Sequence, residues 1–484
     1  MRSNNNKKNR KTARKTTRRK KSHGGKAIDA GSYGCVFRPP LKCVDSTIPY
    51  NNKYVSKLMY KRDIGKEVIE MNKVKKIIEK IKDNENYFLV ANTYTCNPDA
   101  IQGEDLDGFD QECELFTEEG ITSQNVNDNL NQLAILNIPD GGLTIDTYIK
   151  KMVTMPKPEM YVYFIKLNKS LIKLLLNGII PINENKLNHF DVKGNNILIE
   201  ENGEKARLID WGLAGENNGT TIPNEIENRS IHFNMPYSDI FFNSFIKLWL
   251  PEEFKRIKAA ANFGNKTSGQ PEFIKIIAVN LLNKVLSHSK GHFKSVIKHI
   301  LHDIYKIYAI DNGYNTIDYN VLSYDTIIDY IQKVILNYAD ENGNFKDTKY
   351  FYEVFTKNAD VWGFLMCYTK AIEHGVDITT GTYILDKDII NSICRILIKF
   401  CFSSEFSIKP IDIDELTKEL ESLNTIAEQL ISKDTKNTKV AKNLNAIIRA
   451  APKIKKPTGL KIKKPLVASS SLNFDNLRNM AVTT

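Results

Sequence analysis

The alternation of apolar and polar positions predicts strands in the first third of the chain and helices in the rest. Residues 27–37 predict two strands joined by a glycine turn. Residues 64–82 (IGKEVIEMNKVKKIIEKIK) place apolar side chains at helical spacing, with Lys and Glu on the opposite face. From Pro158 onward the pattern is mostly helical. Further strands are predicted at 53–60, 88–94 (FLVANTY) and 132–138 (QLAILNI).

Both ends of the chain are basic and lack apolar periodicity. Residues 1–25 contain eleven Lys or Arg and no acid, which equals the formal net charge of +11, so the remainder is formally neutral. This composition predicts a disordered tail. Residues 431–484 carry APKIKKPTGLKIKKPL and a serine run, and they predict a second basic tail that is mostly disordered.

A strongly acidic window separates two of the predicted strands. No Lys or Arg occurs between Lys82 and Lys150, and residues 97–130 contain ten Asp or Glu. We call residues 97–130 the acidic segment. Its charge and its position predict an acidic loop inserted between two strands.

The cysteines and the hydropathy restrict the class of protein. The seven cysteines are odd in number and scattered, and no C-x-x-C pair occurs. This pattern argues against a disulfide framework and a structural zinc site, and it favours a reducing compartment. No run of about 18 apolar residues is present, so we expect no membrane-spanning helix. The polar, basic start is unlike a signal peptide.

The segment HFDVKGNNILIEENGEKARLIDWGL (189–213) places two carboxylates and an amide at the ends of short apolar stretches. Asp191 and Asn196 lie in one predicted loop, and a β-hairpin then returns the chain so that Asp210 lies beside Asn196. Asp and Asn supply the hard oxygen atoms that Mg²⁺ prefers, although the same residues also cap turns. The two predicted strands of the hairpin are residues 197–199 and 207–209.

A second set of residues near the N-terminus suits phosphate binding. In GSYGCVF (31–37) two glycines lie three positions apart, and a glycine-rich hairpin lets backbone N–H groups approach phosphate oxygens. A plain hairpin turn is the alternative. Lys57 lies in the next predicted strand and is either a phosphate anchor or a solvated side chain. A buried lysine there requires a carboxylate partner, and the following helix offers Glu67 or Glu70.

Together these residues resemble the eukaryotic-type protein kinase superfamily. The triplet 189–191 (HFD), Lys193 and Asn196 match the catalytic loop, and the triplet 210–212 (DWG) matches D-F-G. The resemblance implies that Asp191 directs the substrate hydroxyl and that Lys193 contacts the transferring phosphate. The implied catalytic residues are Asp191, Lys193 and Asn196, and the implied metal ligands are Asn196 and Asp210.

The resemblance extends to the residues that bind the nucleotide in this family. Gly31, Gly34 and Val36 match the glycine loop, Lys57 matches the lysine of the third strand, and Glu67 is the chosen partner, with Glu70 as the alternative. The implied cofactors are ATP and Mg²⁺. The implied ATP-binding residues are Gly31, Ser32, Tyr33, Gly34, Val36, Lys57 and Glu67.

The chain also departs from the family pattern. Asp29 stands at the first glycine position, and Phe190 replaces the arginine that usually receives an activation-loop phosphate. Trp211 replaces the Phe of D-F-G. Downstream, ADVWGFLMCYTKAI (359–372) resembles the D-V-W-S-x-G helix, which implies that Asp360 braces the catalytic-loop backbone. The A-P-E segment has only a partial match, at Pro236.

The predicted fold is α+β and two-lobed like a protein kinase, with a small β-rich N-lobe and a large α-helical C-lobe that carries a helical insertion. The strand at 132–138 would lead into a hinge near Ile138–Asp140. The predicted division is a basic tail (1–25), an N-lobe (26–138), the first part of the C-lobe (139–237), an insertion (238–350), the rest of the C-lobe (351–430) and a tail (431–484).

The expected function is that of a serine/threonine protein kinase that transfers the γ-phosphate of ATP to a protein substrate. Small-molecule kinases of the aminoglycoside and choline type are an alternative, because LIDW also fits them. A weakly active or non-catalytic scaffold is another. The basic arm suits nucleic acid or an acidic partner, and no membrane partner is expected. The composition resembles serine/threonine-protein kinases of large DNA viruses, which implies an intracellular protein in host cytoplasm or nucleus, with virion packaging left open.

Overall fold

The computed structural model describes residues 26–31, 34–44, 52–224, 226–227, 229, 232–260, 271–288, 300–311 and 318–435. The predicted tail at 1–25 lies outside these residues, as do Ser32 and Tyr33 of the glycine loop. The predicted C-terminal tail also lies outside them, apart from its first five positions, which end a long helix at Thr435. The fold is α+β, and helices predominate.

The chain divides into two compact units. Unit 1 comprises Met1–Lys66 and Asn92–Asp140, and unit 2 comprises Glu67–Ala91 and Gly141–Thr484. The predicted insertion at 238–350 belongs to unit 2. Among the described residues, no helix combines the length and the apolar character needed to cross a membrane.

Unit 1 is built around a five-stranded antiparallel sheet with the strand order β1-β2-β3-β5-β4. Strands β1 and β2 form the predicted glycine hairpin, and β3 pairs with β5 along its whole length. Helix α1 (Lys61–Ile78), which the apolar spacing predicts, follows β3 and continues into unit 2 from Glu67 onward. The strands are β1 (Lys26–Gly31), β2 (Gly34–Arg38), β3 (Tyr54–Tyr60), β4 (Tyr94–Cys96) and β5 (Leu133–Pro139).

The acidic segment is a folded element and not the loop predicted from its charge. It contains helices α2 (Phe109–Glu112) and α3 (Glu114–Glu118), flanked by 3₁₀ turns. Phe109 and Phe116 are fully buried in the core of unit 1, while nine of its ten acids stay exposed. The sparse apolar residues therefore anchor the segment, because burial of an aromatic ring contributes about 1.5–3 kcal/mol.

Two disulfides link distant parts of unit 1, one ending within the acidic segment and one just before it. The expectation from the cysteine pattern, which argued against a disulfide framework, was therefore wrong. Cys35 of β2 is bonded to Cys113, with Cα atoms 5.1 Å apart. Cys43 is bonded to Cys96, with Cα atoms 5.8 Å apart. The partners are 78 and 53 positions apart, and linear spacing carries no information on pairs that only the folded sheet brings together.

Unit 2 is mainly helical and contains small antiparallel sheets. Its strands are β6 (Leu143–Thr144), β7 (Leu187–Asn188), β8 (Ile197–Ile199), β9 (Ala206–Leu208), β10 (Gly215–Glu216), β11 (Val376–Asp377) and β12 (Thr382–Tyr383). Its helices are α4 (Ile145–Met152), α5 (Lys157–Leu174), α6 (Ile180–Glu184), α7 (Ser244–Ala260), α8 (Pro271–His288), α9 (His302–Asp311), α10 (Tyr319–Tyr338), α11 (Asp347–Tyr350), α12 (Thr356–Met366), α13 (Thr369–Gly375), α14 (Lys387–Leu397) and α15 (Ile413–Thr435).

A buried polar network joins the central helices of unit 2. Asn168 of α5 donates through Nδ2 to the carbonyl oxygen of Leu420 at 2.8 Å and to Asn424 Oδ1 at 3.0 Å. The Tyr368 hydroxyl donates to Asn168 Oδ1 at 2.7 Å. Because a buried amide is costly unless its donors and acceptor are satisfied, this network fixes the register of α5 against α15.

One predicted strand, residues 88–94, is largely absent. Only Tyr94 belongs to a strand, and Phe88 makes a single bridge with Leu208. Phe88 and Val90 are buried in the core of unit 2, whereas Tyr94 belongs to the sheet of unit 1. The apolar run therefore supplies the core of unit 2 at its start and the sheet of unit 1 at its end, which period-2 analysis cannot distinguish from one strand.

Candidate active site

The predicted hairpin is confirmed, and it positions the second carboxylate. Strand β8 pairs with β9 in the register Ile197↔Leu208 and Ile199↔Ala206. Beyond the strands, the Ile209 N–H donates to the carbonyl oxygen of Asn196 at 2.9 Å. Asp210 therefore follows directly after a residue that is hydrogen-bonded to Asn196. Its φ of 64° is left-handed, which is rare for residues other than glycine.

Asp191 is the centre of the site. Asp191 is 5% exposed, and its carboxylate accepts hydrogen bonds on both oxygens. Oδ2 accepts from Lys193 Nζ at 2.7 Å and from Asn196 Nδ2 at 3.0 Å. Oδ1 accepts from Asn234 Nδ2 at 3.0 Å and from Arg229 Nη2 at 3.3 Å. The structure thus brings the three predicted catalytic residues together.

These partners keep Asp191 ionised. Burial raises the pKa of its carboxyl, but the hydrogen bonds and positive charges around it, with Lys193 foremost, outweigh burial and hold the pKa below its ordinary value. Asp191 is therefore negatively charged at neutral pH, as an acceptor for a hydroxyl proton must be.

Two of the partners were not identified from the sequence. Asn234 is 1% exposed and also donates to the carbonyl oxygen of Val192 at 3.1 Å. It opens the segment NMPYS, in which only Pro236 matched the family pattern. Arg229 matches no motif, so the sequence carried no signal for it. Its Nη1 also donates to the carbonyl oxygen of Phe190.

Helix α12 packs against the backbone of the catalytic loop, and the predicted contact of Asp360 with that backbone is confirmed. Asp360 is 1% exposed and accepts from the backbone N–H groups of His189 at 2.8 Å and Phe190 at 2.7 Å. Burial raises the pKa of Asp360, and these donors offset part of that rise. A Cβ atom on Gly363 would lie 2.4 Å from the carbonyl oxygen of Val192, so only glycine allows the helix to lie this close.

His189 has a structural role in this arrangement. It is fully buried, and burial lowers its pKa, so the ring is neutral at physiological pH. Its Nδ1 accepts from the Asp191 N–H at 3.2 Å, so Nε2 carries the proton and donates to the carbonyl oxygen of Ile209 at 3.0 Å. The ring packs edge-on against Trp211 at 4.7 Å. It thereby links the catalytic loop to the strand that precedes Asp210.

Phe190, at the position of the expected arginine, is a core residue. It is fully buried beside Phe351 and Phe355, with ring centroids 6.2 and 6.4 Å away. An apolar ring in this place cannot bind a phosphate group. The backbone there has a left-handed φ of 56°, which the two hydrogen bonds from the loop to Asp360 stabilise.

The two proposed metal ligands have oxygen atoms to offer. The amide nitrogen of Asn196 donates to the carbonyl and the carboxylate of Asp191, whereas no hydrogen bond among the described residues uses its Oδ1. The Asp210 carboxylate is exposed and, within the described part of the chain, forms no hydrogen bond or ion pair. An amide oxygen and a carboxylate oxygen are ligand types that suit Mg²⁺.

The predicted nucleotide-binding residues lie on several elements. Gly34, Val36 and Lys57 belong to unit 1, where Val36 pairs with Lys57 across β2 and β3. A Cβ atom on Gly34 would lie 2.3 Å from the carbonyl oxygen of Leu58, so the hairpin requires glycine there. Glu67, half-buried, and Glu70, exposed, lie on α1. The choice between them stays a prediction, as does ATP binding by Gly31.

A separate cluster of possible metal ligands lies in unit 2. Single ligand atoms of Asp146, Glu373 and His374 lie within 4.8 Å of one another. Lys150 and Lys370 also contact Asp146, at 2.7 and 3.4 Å. Hydrogen bonds and cations lower the pKa of Asp146 to about 2 against the effect of burial. Its charge is already compensated, so the cluster is a salt-bridge network.

No known family model matches the chain, and no curated protein shows significant similarity to it.

Proposed function

We propose that the protein is an ATP-dependent serine/threonine protein kinase. One observation carries the proposal: Lys193 and Asn196 converge on the ionised carboxylate of Asp191, and a β-hairpin places Asp210 directly after the residue bonded to Asn196. This arrangement supports a carboxylate base for the acceptor hydroxyl, a cation for the transferring phosphate and two oxygen ligands within one loop and hairpin. Phosphoryl transfer depends mainly on such positioning and charge stabilisation.

The proposed reaction assigns a task to each of these residues. The acceptor hydroxyl forms a bond to the γ-phosphorus as the bond to the bridging oxygen of ADP breaks, and the hydroxyl proton passes to Asp191. Lys193 stabilises charge on the transferred group. Asn196 and Asp210 would hold magnesium, which, when bound, neutralises charge on the phosphate oxygens. Lys57, with Glu67 or Glu70, would orient the remaining phosphates.

The proposal includes the finer features of the fold. Unit 1 would be the small β-rich lobe of a protein kinase and unit 2 the large helical lobe, and the last passage of the chain from one to the other lies at Asp140–Gly141. Asp360 and Gly363 of α12 support this assignment, because both contact the catalytic-loop backbone as the D-V-W-S-x-G resemblance implied. Lys193 favours a protein acceptor over a small amine or sugar.

Phosphate transfer from labelled ATP tests the proposal. Wild-type protein with Mg²⁺ is expected to label dephosphorylated casein or a basic protein. Asp191→Asn, which keeps the shape of the side chain but removes its charge, is expected to lower the rate at least about a hundredfold. Asp388→Asn, at an exposed position of α14, is the matched control and is expected to behave as wild type.

The other outcomes identify the alternatives. Labelling of small amines or sugars in place of protein would favour a small-molecule kinase. Equal labelling by wild type and Asp191→Asn would remove the assigned role of that residue. Binding of Mg-ATP without transfer to any acceptor would leave a kinase-fold scaffold.

A further inference from the structure

Every acceptor position of the Asp191 carboxylate is already used inside the protein. An ionised carboxylate offers about four lone-pair positions on its two oxygens. Here four donors occupy them: Lys193 and Asn196 on Oδ2, and Asn234 and Arg229 on Oδ1. A substrate hydroxyl that approaches Asp191 therefore finds no free acceptor, and one donor must leave before the hydroxyl can bind.

The four donors differ in how firmly they are held. Lys193 and Asn196 belong to the same loop as Asp191, and Asn196 also donates to the Asp191 carbonyl oxygen at 2.9 Å. Asn234 is fastened a second time to the carbonyl oxygen of Val192. Arg229 makes the longest of the four contacts to the carboxylate, at 3.3 Å, and it is held a second time because its Nη1 donates to the carbonyl oxygen of Phe190. Because its contact with the carboxylate is the longest, the Nη2 of Arg229 is the donor that a hydroxyl displaces most readily.

A second carboxylate lies ready to receive Arg229. Asp239 is 4% exposed, and its Oδ1 accepts no hydrogen bond from the described residues. The Nε of Arg229 likewise has no acceptor there. Burial raises the pKa of Asp239 to about 7, and the nearby guanidinium of Arg229 opposes that rise. A buried donor and a buried acceptor, both unmatched, therefore lie in the same region.

We propose that Arg229 is an autoinhibitory residue that occupies the hydroxyl-binding oxygen of Asp191, and that the acceptor substrate displaces it toward Asp239. The inference rests on the proposed function and adds its regulation. Phe190 is apolar and buried, so control does not pass through a phosphate bound at that position. Because Arg229 would pair with the ionised form of Asp239, the exchange avoids the cost of an isolated buried ion.

Steady-state kinetics with dephosphorylated casein test the contact. Arg229→Gln removes the charge and keeps a polar amide at this position. Since substrate no longer competes with a charge-assisted hydrogen bond, the KM for casein is expected to fall about tenfold. The KM for ATP is expected to stay within about twofold of wild type. Arg229→Met is the second variant, and Arg395→Met, at an exposed arginine of α14, controls for loss of one cation.

A double-mutant cycle tests the role of Asp239. Asp239→Asn removes the receiving charge, so it is expected to raise the KM for casein in the wild-type background and to have no effect in Arg229→Gln. Equal effects in both backgrounds would overturn the exchange. An unchanged or higher KM in folded Arg229→Gln and Arg229→Met would overturn the autoinhibition while leaving the kinase proposal intact.

Activity of the Asp191→Asn variant distinguishes failure of the kinase proposal from failure of the autoinhibition proposal. Casein labelling by wild type above the Asp191→Asn background establishes that the site is catalytic, so that the Arg229 variants then decide the regulation alone. No labelling above that background by wild type or by either Arg229 variant would refute the proposed function, and the inference with it.

Discussion

Asp239→Asn is expected to stabilise the protein at neutral pH, although it removes a charge beside an arginine. Asp239 lies in the 3₁₀ turn Tyr237–Phe242, is 4% exposed and has an unpartnered carboxylate oxygen among the described residues. Burial raises its pKa to about 7 against the opposing effect of Arg229. The folded protein therefore holds this proton over a pH range in which the unfolded chain has already released it.

The direction of the effect follows from proton linkage. Between pH 3.8 and about 7 the folded state binds more protons at this residue, so the free energy of unfolding falls as pH rises. A rise in pKa from 3.8 to about 7 corresponds to about 4 kcal/mol, of which about 3 kcal/mol is lost between pH 5 and 8. Asparagine does not titrate, so the variant escapes this loss.

Urea unfolding followed by tryptophan fluorescence measures the difference, because Trp211, Trp249 and Trp362 all belong to unit 2 together with Asp239. The free energy of unfolding of the variant minus that of wild type is expected to grow by about 3 kcal/mol from pH 5 to 8. Asp388→Asn is the control for an exposed acid. A difference that stays constant over this range would refute the assignment of a raised pKa to Asp239.

Two further substitutions test contacts on which the fold depends. Gly363→Ala is expected to destabilise unit 2 by about 1–3 kcal/mol and to lower activity, because its Cβ would lie 2.4 Å from the carbonyl oxygen of Val192. Urea unfolding measures the loss of stability. Gly65→Ala is the helical control, because its Cβ would have no atom within 4 Å, and it is expected to be neutral or stabilising. Replacing Cys35 and Cys113 together by Ser is expected to cost about 4 kcal/mol in unit 1, and hydrogen exchange across the acidic segment measures it; unchanged protection there would contradict the tethering role.

Local patterns determined much of the catalytic region. The hairpin after Asn196 could be predicted, because two short apolar stretches separated by a polar turn have one simple antiparallel solution. The contact between Asp360 and the loop could be predicted from a resemblance, since Asp360 lies in a helix with a recognisable pattern. Both predictions concern side chains whose positions follow from elements close to them or from a known motif.

Other features depended on long-range contacts. The composition of the acidic segment predicts a loop because charges dominate it, yet two buried phenylalanines and the Cys35–Cys113 disulfide anchor it. Arg229 and Asn234 approach Asp191 from 38 and 43 positions away. These contacts depend on the path of the chain after Asp210, and the periodicity of apolar residues does not predict that path.

The sequence by itself determined the local chemistry of this protein: a helix or strand at most positions, a hairpin, and an acid, a lysine and an amide in one loop. These follow from the repeat of apolar side chains and from residue types a few positions apart, where the backbone allows few arrangements. Tertiary structure alone decided which cysteines pair, which apolar run serves which core, and which donors occupy the carboxylate of Asp191. Such choices depend on packing that excludes water from groups distant in sequence, and the energy of each contact exists only after the others have formed.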